Sequence, residues 1–238
     1  MIHLIRADLR RVLKRPTLYI FAGLMMIFII FAGWSEDAMA QMSTEKNTTA
    51  YLVAIMASVP ILITLYGDDF KSGSMIMVIG RGISRTKLLV SKLITSSILL
   101  LGYYLIAFGE YTIFHTYLIK AHYSSQQTLL TILMIFLGWF RNVALFAFAS
   151  ILMYAFWSVA AGLISILALI AFLRILLMSL NKSGGFGVYD LTTDGLIDSA
   201  YKAMLSGGFP YQLIIVAVYF AVFIIAGSLF FKRKELDL

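Results

Sequence analysis

Long apolar runs separated by short polar segments are the dominant pattern along the 238 residues of the chain. A helix rises about 1.5 Å per residue, so about 20 apolar residues cross the roughly 30 Å hydrocarbon core of a bilayer. Six runs come near or exceed this length, and each predicts a membrane-spanning helix. The predicted spans are about 17–33, 50–66, 93–114, 128–153, 158–178 and 210–231. The sequence therefore predicts one all-α polytopic membrane domain covering residues 1–238.

The turn between the fourth and fifth spans is the least obvious boundary, because the apolar run from Leu129 to Leu180 is almost unbroken. A turn at Arg141 would leave only about 13 residues for the fourth span, which is too few to cross the bilayer. We therefore predict a tight turn at residues 154–158 and place Arg141 inside a span.

Residues 1–16 have an amphipathic pattern instead of a continuous apolar one. On a helix, five apolar side chains fall within an arc of about 100°. They are Ile2, Ile5, Leu9, Val12 and Leu13. Four basic residues lie to one side of this arc: Arg6, Arg10, Arg11 and Lys14. This pattern predicts a helix on the membrane surface with its basic groups toward lipid headgroups, followed by a bend at Pro16.

Composition supports the membrane assignment, and charge gives an orientation. The chain is 61% hydrophobic and 13% charged, against about a quarter charged for soluble domains. With both termini, residues 67–92 and the 154–158 turn on one side, that side carries 13 Lys and Arg residues, and the other side carries 4. This bias predicts that the basic side is cytoplasmic, in the plasma membrane. It also accounts for the net charge of +7, so nucleic acid is not predicted as a partner.

The motifs that would indicate an enzyme are absent from the sequence. There is no cysteine, so there is no disulfide framework and no thiolate metal site. There is also no G-x-x-x-x-G-K-[ST] loop for nucleotide phosphates, no G-x-S-x-G and no His pair at helical spacing. The sequence therefore predicts no enzymatic activity, no metal and no cofactor in this chain.

Residues 67–92 (GDDFKSGSMIMVIGRGISRTKLLVSK) are the longest charged stretch. The positive-inside rule explains the five basic residues, but it does not explain the apolar run from Met75 to Ile79 between Gly73 and Gly80. Ser84 stands where it can cap the next helix. A short apolar element on the cytoplasmic face, flanked by charges, favours a docking site for another protein over a plain surface loop.

This stretch resembles the permease subunits of type 2 ABC exporters. In such permeases an acidic residue, a Gly-Ser/Thr pair, a short apolar segment and a Ser-Arg pair follow the second span. The corresponding residues are Asp69, Gly73, Ser74, Met75, Met77, Ile79, Ser84 and Arg85, with Lys92 entering the third helix. The layout is also similar: a basic N-terminal helix, six spans, a tight turn after the fourth and a longer outer loop, 179–209, before the sixth.

The resemblance implies a function and a set of partners. The segment corresponding to residues 70–80 would be a coupling helix seated in a groove of a separate ABC ATPase, which would bind ATP and Mg²⁺. Two permeases, identical or related, would form a dimer in the bilayer. The compact form is similar to small bacterial exporters of peptides, peptide toxins or drugs, so the expected substrate is hydrophobic or amphipathic.

Two charged residues inside predicted spans have open roles. A guanidinium at mid-bilayer costs from about 2.5 to well over 10 kcal/mol depending on the scale, so Arg141 should face the bundle interior, a partner subunit or water. It is either a substrate or subunit contact, or it forms a structural salt link or snorkels toward one face of the membrane. Glu110 lies near the outer end of the third predicted span, and either contributes to a substrate path or is simply solvated.

Other functional classes remain open on the sequence alone. A non-transport scaffold or sensor could use the same docking element to regulate a partner, and the substrate could be a drug or a lipid instead of a peptide. An ATP-independent carrier is less well supported, because such proteins favour internal repeats and paired discontinuous helices. The sequence shows no convincing repeat, and its predicted spans hold few mid-membrane acids for proton or sodium coupling.

Overall fold

The computed structural model describes residues 1–33, 48–113, 125–173, 176 and 191–233, and within these ranges all regular structure is helical. One π-helical turn, Ile63–Gly67, joins the helices Thr48–Leu62 and Asp68–Ser72. A second π-helical segment, Ala168–Leu173, continues the helix Val159–Leu167. The helices are α1 Ile2–Leu13, α2 Pro16–Gly33, α3 Thr48–Leu62, α4 Asp68–Ser72, α5 Ser74–Gly80, α6 Arg85–Ile113, α7 Ser125–Phe156, α8 Val159–Leu167, α9 Thr193–Leu205 and α10 Gln212–Arg233.

Several of these helices are long and apolar enough to cross a membrane. Four stretches of the described chain qualify on their own, and α1 with α2, bent by 66°, forms a possible fifth. The four are Val53–Ser72, Arg85–Glu110, Ile135–Phe156 and Gln212–Phe231. The prediction of an all-helical protein with several apolar helices of spanning length is therefore confirmed. The count of six spans stays a prediction, because the segment 158–178 is described only in part.

The outward face of α10 is apolar, as contact with lipid would require. Only 17% of the apolar stretch Gln212–Phe231 in α10 is buried inside the bundle. Its exposed residues recur every three to four positions: Ile214, Val218, Val222, Ile225 and Leu229. Inside the bundle, α10 packs along α7, and both contact α9 through Leu137, Ala144, Ile197 and Val216.

The predicted loop 179–209 contains a helix that was not predicted. Within the described part of this segment, α9 runs from Thr193 to Leu205. The side chain of Thr192 caps it by accepting a hydrogen bond of 3.2 Å from the Gly195 amide. Asp194, Gly195 and Asp198 give this stretch the composition of a loop, yet Leu196 and Ile197 pack against α7 and α10. Tertiary packing outweighs intrinsic helix propensity here.

A tight connection joins α7 to α8. The helices are separated only by Trp157 and Ser158, inside the predicted turn at 154–158. Trp157 has a φ of 53°, a left-handed conformation that is rare for a bulky residue. Gly162 lets α8 approach α7 closely, since a Cβ at this position would lie 2.4 Å from Cγ of Met153.

Candidate functional site

The segment predicted as a docking element folds into two short helices with a break between them. Gly73 separates α4 from α5 and has a φ of 63°, a conformation that glycine adopts without the steric cost of a Cβ. Gly82, with a φ of 86°, lies in the connection from α5 to α6. The apolar run from Met75 to Ile79 therefore forms a separate helix of seven residues.

Helix α5 has one face against the bundle and one face exposed. Met75 is 1% exposed and belongs to the main apolar core. Val78 and Ile79 are half-buried and pack against the same core. Met77 points away, with 59% of its surface exposed. Burial of a single large apolar side chain contributes roughly 1.5–3 kcal/mol, so Met75 seats α5 on the bundle while Met77 is free to contact another molecule.

A group of buried charges holds the base of α5. Asp69, at the end of the second apolar segment, is 4% exposed. Its carboxylate forms ion pairs with Arg11 of α1 and Lys92 of α6, with Arg11 Nη2 also donating to Oδ2 at 3.0 Å. The Ser74 hydroxyl, on the first residue of α5, donates to Oδ1 at 2.7 Å. Asp69 thus joins α1, α4, α5 and α6.

A second carboxylate completes the charge balance. Asp8 accepts a hydrogen bond of 2.9 Å from Lys92 and one of 3.2 Å from Arg11. The Leu65 carbonyl, in the π-helical turn, accepts from the same two cations at 3.5 and 3.2 Å. We call the five side chains Asp8, Arg11, Asp69, Ser74 and Lys92 the ion-pair cluster. With two acids and two bases it is neutral, and its hydrogen bonds offset the cost of burying charge.

Arg11 is held in its charged form by the cluster. The hydrogen bond to Asp69 raises the pKa of Arg11 above its ordinary value, and the negative charge of Asp69 acts in the same direction. Arg15 and Asp68 form a further ion pair outside the cluster, and their side chains are 49% and 40% exposed. Solvent-accessible pairs contribute roughly 0–1 kcal/mol, whereas removal of one partner from a buried pair costs about 3–5 kcal/mol. The connection between α1 and α4 is therefore more sensitive to changes in the cluster than to changes in this pair.

The start of α6 is anchored separately. Ser84 caps α6 as predicted, with its hydroxyl accepting from the Lys87 amide at 3.3 Å. Arg85 donates to the Phe231 carbonyl at 2.9 Å, and its guanidinium carbon lies 5.9 Å from the centre of the Phe231 ring. Arg85 therefore connects the start of α6 to the end of α10, and Ser84 caps α6.

The structure corrects one expectation and adds residues that sequence reasoning did not assign. Arg11 was expected to face lipid headgroups, but it turns inward and, together with Lys92, neutralises the buried carboxylates of Asp69 and Asp8. Asp8 was not singled out. The only signal for it is an acidic residue inside a basic helix, three positions before Arg11, a spacing at which helical side chains meet.

The two charged residues of the predicted spans lie elsewhere. Arg141 is 5% exposed, in α7. The adjacent Asn142 donates to the Ala54 carbonyl at 3.3 Å and is fully buried. Both carboxylate oxygens of Glu110, near the end of α6, are shielded and have no hydrogen-bond partner among the described residues. The inward placement of Arg141 agrees with the cost of exposing a guanidinium to lipid. A substrate or subunit contact by either residue stays a prediction.

No protein-family model matches the chain, and no curated protein sequence matches it. Function is therefore argued from the residues and their geometry.

Proposed function

We propose that the chain is the membrane permease subunit of a type 2 ABC exporter, with six spans and both termini in the cytoplasm. A separate ATPase would supply ATP hydrolysis with its bound Mg²⁺. The observation that carries the proposal is helix α5: Met75 holds it on the bundle, Met77 is exposed, and the ion-pair cluster fastens its base to α1, α4 and α6. This arrangement suits an element that is pushed by a partner and transmits the motion.

The path of transmission runs through direct contacts. A displacement of α5 would act on Ser74, whose hydroxyl is bonded to Asp69. Through its ion pairs, Asp69 would transmit this displacement to Lys92 in α6 and to Arg11 in α1. Coupling between distant sites needs contiguous packed or hydrogen-bonded elements with more than one arrangement. The surface helix and the third predicted span would therefore move together with the second.

The chain itself would do no bond chemistry. Closure of the ATPase dimer on ATP would move α5 and change the packing between the two permease copies, opening a path for a hydrophobic or amphipathic substrate such as a peptide or toxin. A contact of Arg141, a guanidinium inside a predicted span, with a substrate or a partner subunit belongs to the same proposal.

The test begins with a search for an ABC ATPase gene beside the gene for this chain. The two proteins are then co-expressed, purified and reconstituted in vesicles. We expect the two to co-purify and expect peptides or lipophilic drugs to stimulate ATP hydrolysis. Met77→Asp should abolish co-purification by placing a charge in an apolar contact, while leaving membrane insertion intact. The control is Phe209→Asp, which also places a charge at an exposed apolar residue. Phe209 is 75% exposed and lies just before the first residue of α10, away from α5.

The outcomes separate the competing functions. Normal transport with Met77→Asp would contradict the docking role of α5. Stable co-purification without substrate-stimulated ATP hydrolysis or export would instead favour a scaffold or sensor subunit that regulates its partner through the same helix. Transport that continues without any ATPase would contradict the exporter assignment and favour an independent carrier.

A further inference from the structure

A cavity of about 370 Å³ opens beside the ion-pair cluster but shares no residue with it. One wall comes from the end of the second apolar segment and the other from the turn between α7 and α8. Its lining residues are Ile63, Gly67, Phe70 and Lys71 on the first wall, and Trp157, Ser158, Val159 and Ala160 on the second. The volume falls within the roughly 300–1,000 Å³ typical of small-molecule sites.

The position of the cavity relative to a bilayer follows from the helices that form it. The apolar stretch Val53–Ser72 ends at the first wall, and the stretch Ile135–Phe156 ends immediately before Trp157. Two helices of spanning length therefore terminate at the same cavity. In a bilayer, the ends of such helices lie at the boundary between the hydrocarbon region and water. Trp and Lys suit this boundary because each has an apolar body and a polar tip.

The lining combines an apolar surface with one cation. Ile63 and Ala160 are exposed apolar residues, and the rings of Phe70 and Trp157 lie with their centres 4.9 Å apart. Lys71 is exposed. Among the described residues, the neighbouring acids Asp68 and Asp69 form ion pairs with Arg15, Arg11 and Lys92. The positive charge of Lys71 is thus available to a ligand.

The turn between α7 and α8 contains one residue with a left-handed backbone conformation. Trp157 keeps a φ of 53°, which costs a bulky residue of order 1–3 kcal/mol and persists only where surrounding contacts enforce it. That conformation sets the indole against Phe70. Ser158 precedes α8, yet its side chain makes no capping hydrogen bond, so its hydroxyl can donate to a group in the cavity.

We propose that this cavity binds an anionic phospholipid, with the phosphate near Lys71 and Ser158 and an acyl chain against Ile63, Val159 and Ala160. A ligand that is both anionic and apolar matches the lining, and basic pockets at the membrane surface are sites for anionic lipid headgroups. The inference goes beyond transport. It requires only that the two helices cross a membrane, so it can hold or fail independently of the ATPase.

Tryptophan fluorescence provides the test. The chain has three tryptophans, and the variant Trp34→Phe with Trp139→Phe leaves Trp157 as the only one. This full-length protein is reconstituted without any ATPase in phosphatidylcholine vesicles containing increasing fractions of phosphatidylglycerol brominated on its acyl chains. Brominated phosphatidylcholine at the same bromine content measures non-selective contact. We expect Trp157 to be quenched at a lower fraction of the anionic lipid than of the zwitterionic one.

Paired substitutions locate the site. A basic residue near an anionic surface contributes about 1 kcal/mol, so Lys71→Gln should raise the half-saturating fraction of phosphatidylglycerol about fivefold. The control Lys87→Gln removes an exposed lysine that lines no part of the cavity and should leave it unchanged. Gly67 has a φ of −60°, so a side chain is tolerated there, and a Cβ would lie 4.0 Å from Val159. Gly67→Leu should fill the cavity and suppress quenching, and Gly67→Ala should not.

Three results would overturn the proposal. One is equal half-saturation with the two lipids, which would mean that Trp157 contacts bulk lipid only. Another is an equal effect of Lys71→Gln and Lys87→Gln, which would mean that the overall surface charge attracts the lipid. The third is a Gly67→Leu protein that is quenched like Gly67→Ala. Because no ATPase is present, none of these results depends on whether the chain is an exporter.

Discussion

A single carboxylate, Asp69, joins parts of the chain that are far apart in sequence. Its ion pairs reach 58 residues back to Arg11 and 23 residues forward to Lys92. Buried charges of this kind add little net stability when complete, because desolvation offsets the attraction between the partners, but they are costly when one partner is removed. The value of the cluster is therefore in specifying which helices meet, and its weakness is that each member depends on the others.

Removing the charge of Asp69 should destabilise the protein strongly. In Asp69→Asn, two cations share the remaining carboxylate of Asp8, and we expect the free energy of unfolding to fall by about 3–5 kcal/mol. The matched change Asp68→Asn, in an exposed pair, should cost less than about 1 kcal/mol. Unfolding by denaturant in mild detergent measures both. The double variant Asp69→Leu with Lys92→Met should recover part of the loss, and a double variant no more stable than Asp69→Asn would contradict this account.

At the level of elements, one glycine and one serine set the bounds of the segment that we propose as the docking site. Gly73 separates α4 from α5 by its positive φ, and Ser84 starts α6. Both positions could be predicted from the sequence, because turn and cap signals are local and depend on one or two residues. The apolar residues of α5 could also be predicted as a short surface element, although which of them is buried is decided by packing against the bundle.

A matched pair of glycine substitutions tests the helix break. Gly73→Ala places a Cβ in the left-handed conformation, at a cost of about 1–2 kcal/mol. The strain is relieved by local opening, so we expect hydrogen exchange of the α5 amides to speed up roughly 5–30-fold. Gly80→Ala, at the other end of α5, has open space around its Cβ and no positive φ, and should leave exchange unchanged or slower. Equal rates in the two variants would rule out a structural role for the positive φ.

At the level of the whole molecule, the hydrophobic pattern predicts the fold class and the distribution of charge predicts an orientation in the membrane. The apolar runs predicted the helical class, since a run of about 20 apolar residues has few alternatives to a spanning helix. The ion-pair cluster could not be predicted. Its members come from three separate segments, and their meeting depends on the rotation and packing of α1, α4 and α6. Helix α9 was missed for a related reason: its Gly and Asp residues indicate a loop, and only contacts with α7 and α10 favour the helix.

The proposed topology can be measured directly because the chain has no cysteine. Single substitutions Met77→Cys and Phe209→Cys place one thiol beside α5 and one before α10, both at exposed positions. With both termini in the cytoplasm, a membrane-impermeant maleimide added to intact cells should label Phe209→Cys and spare Met77→Cys, and lysis should expose the latter. Labelling of both thiols in intact cells, or of Met77→Cys alone, would refute the predicted orientation.

The π-helical turn Ile63–Gly67 also sets the rotation of everything that follows it. An α-helix turns by about 100° per residue, and a π-helical turn accommodates one additional residue without extending that regular phase. If the same five residues instead wound as an ordinary α-helix, Asp69 would swing through about a quarter of a circle, away from Arg11 and Lys92. The π-helical turn thus changes the direction in which the Asp69 side chain points relative to the apolar face of α3, compared with a continuous α-helix.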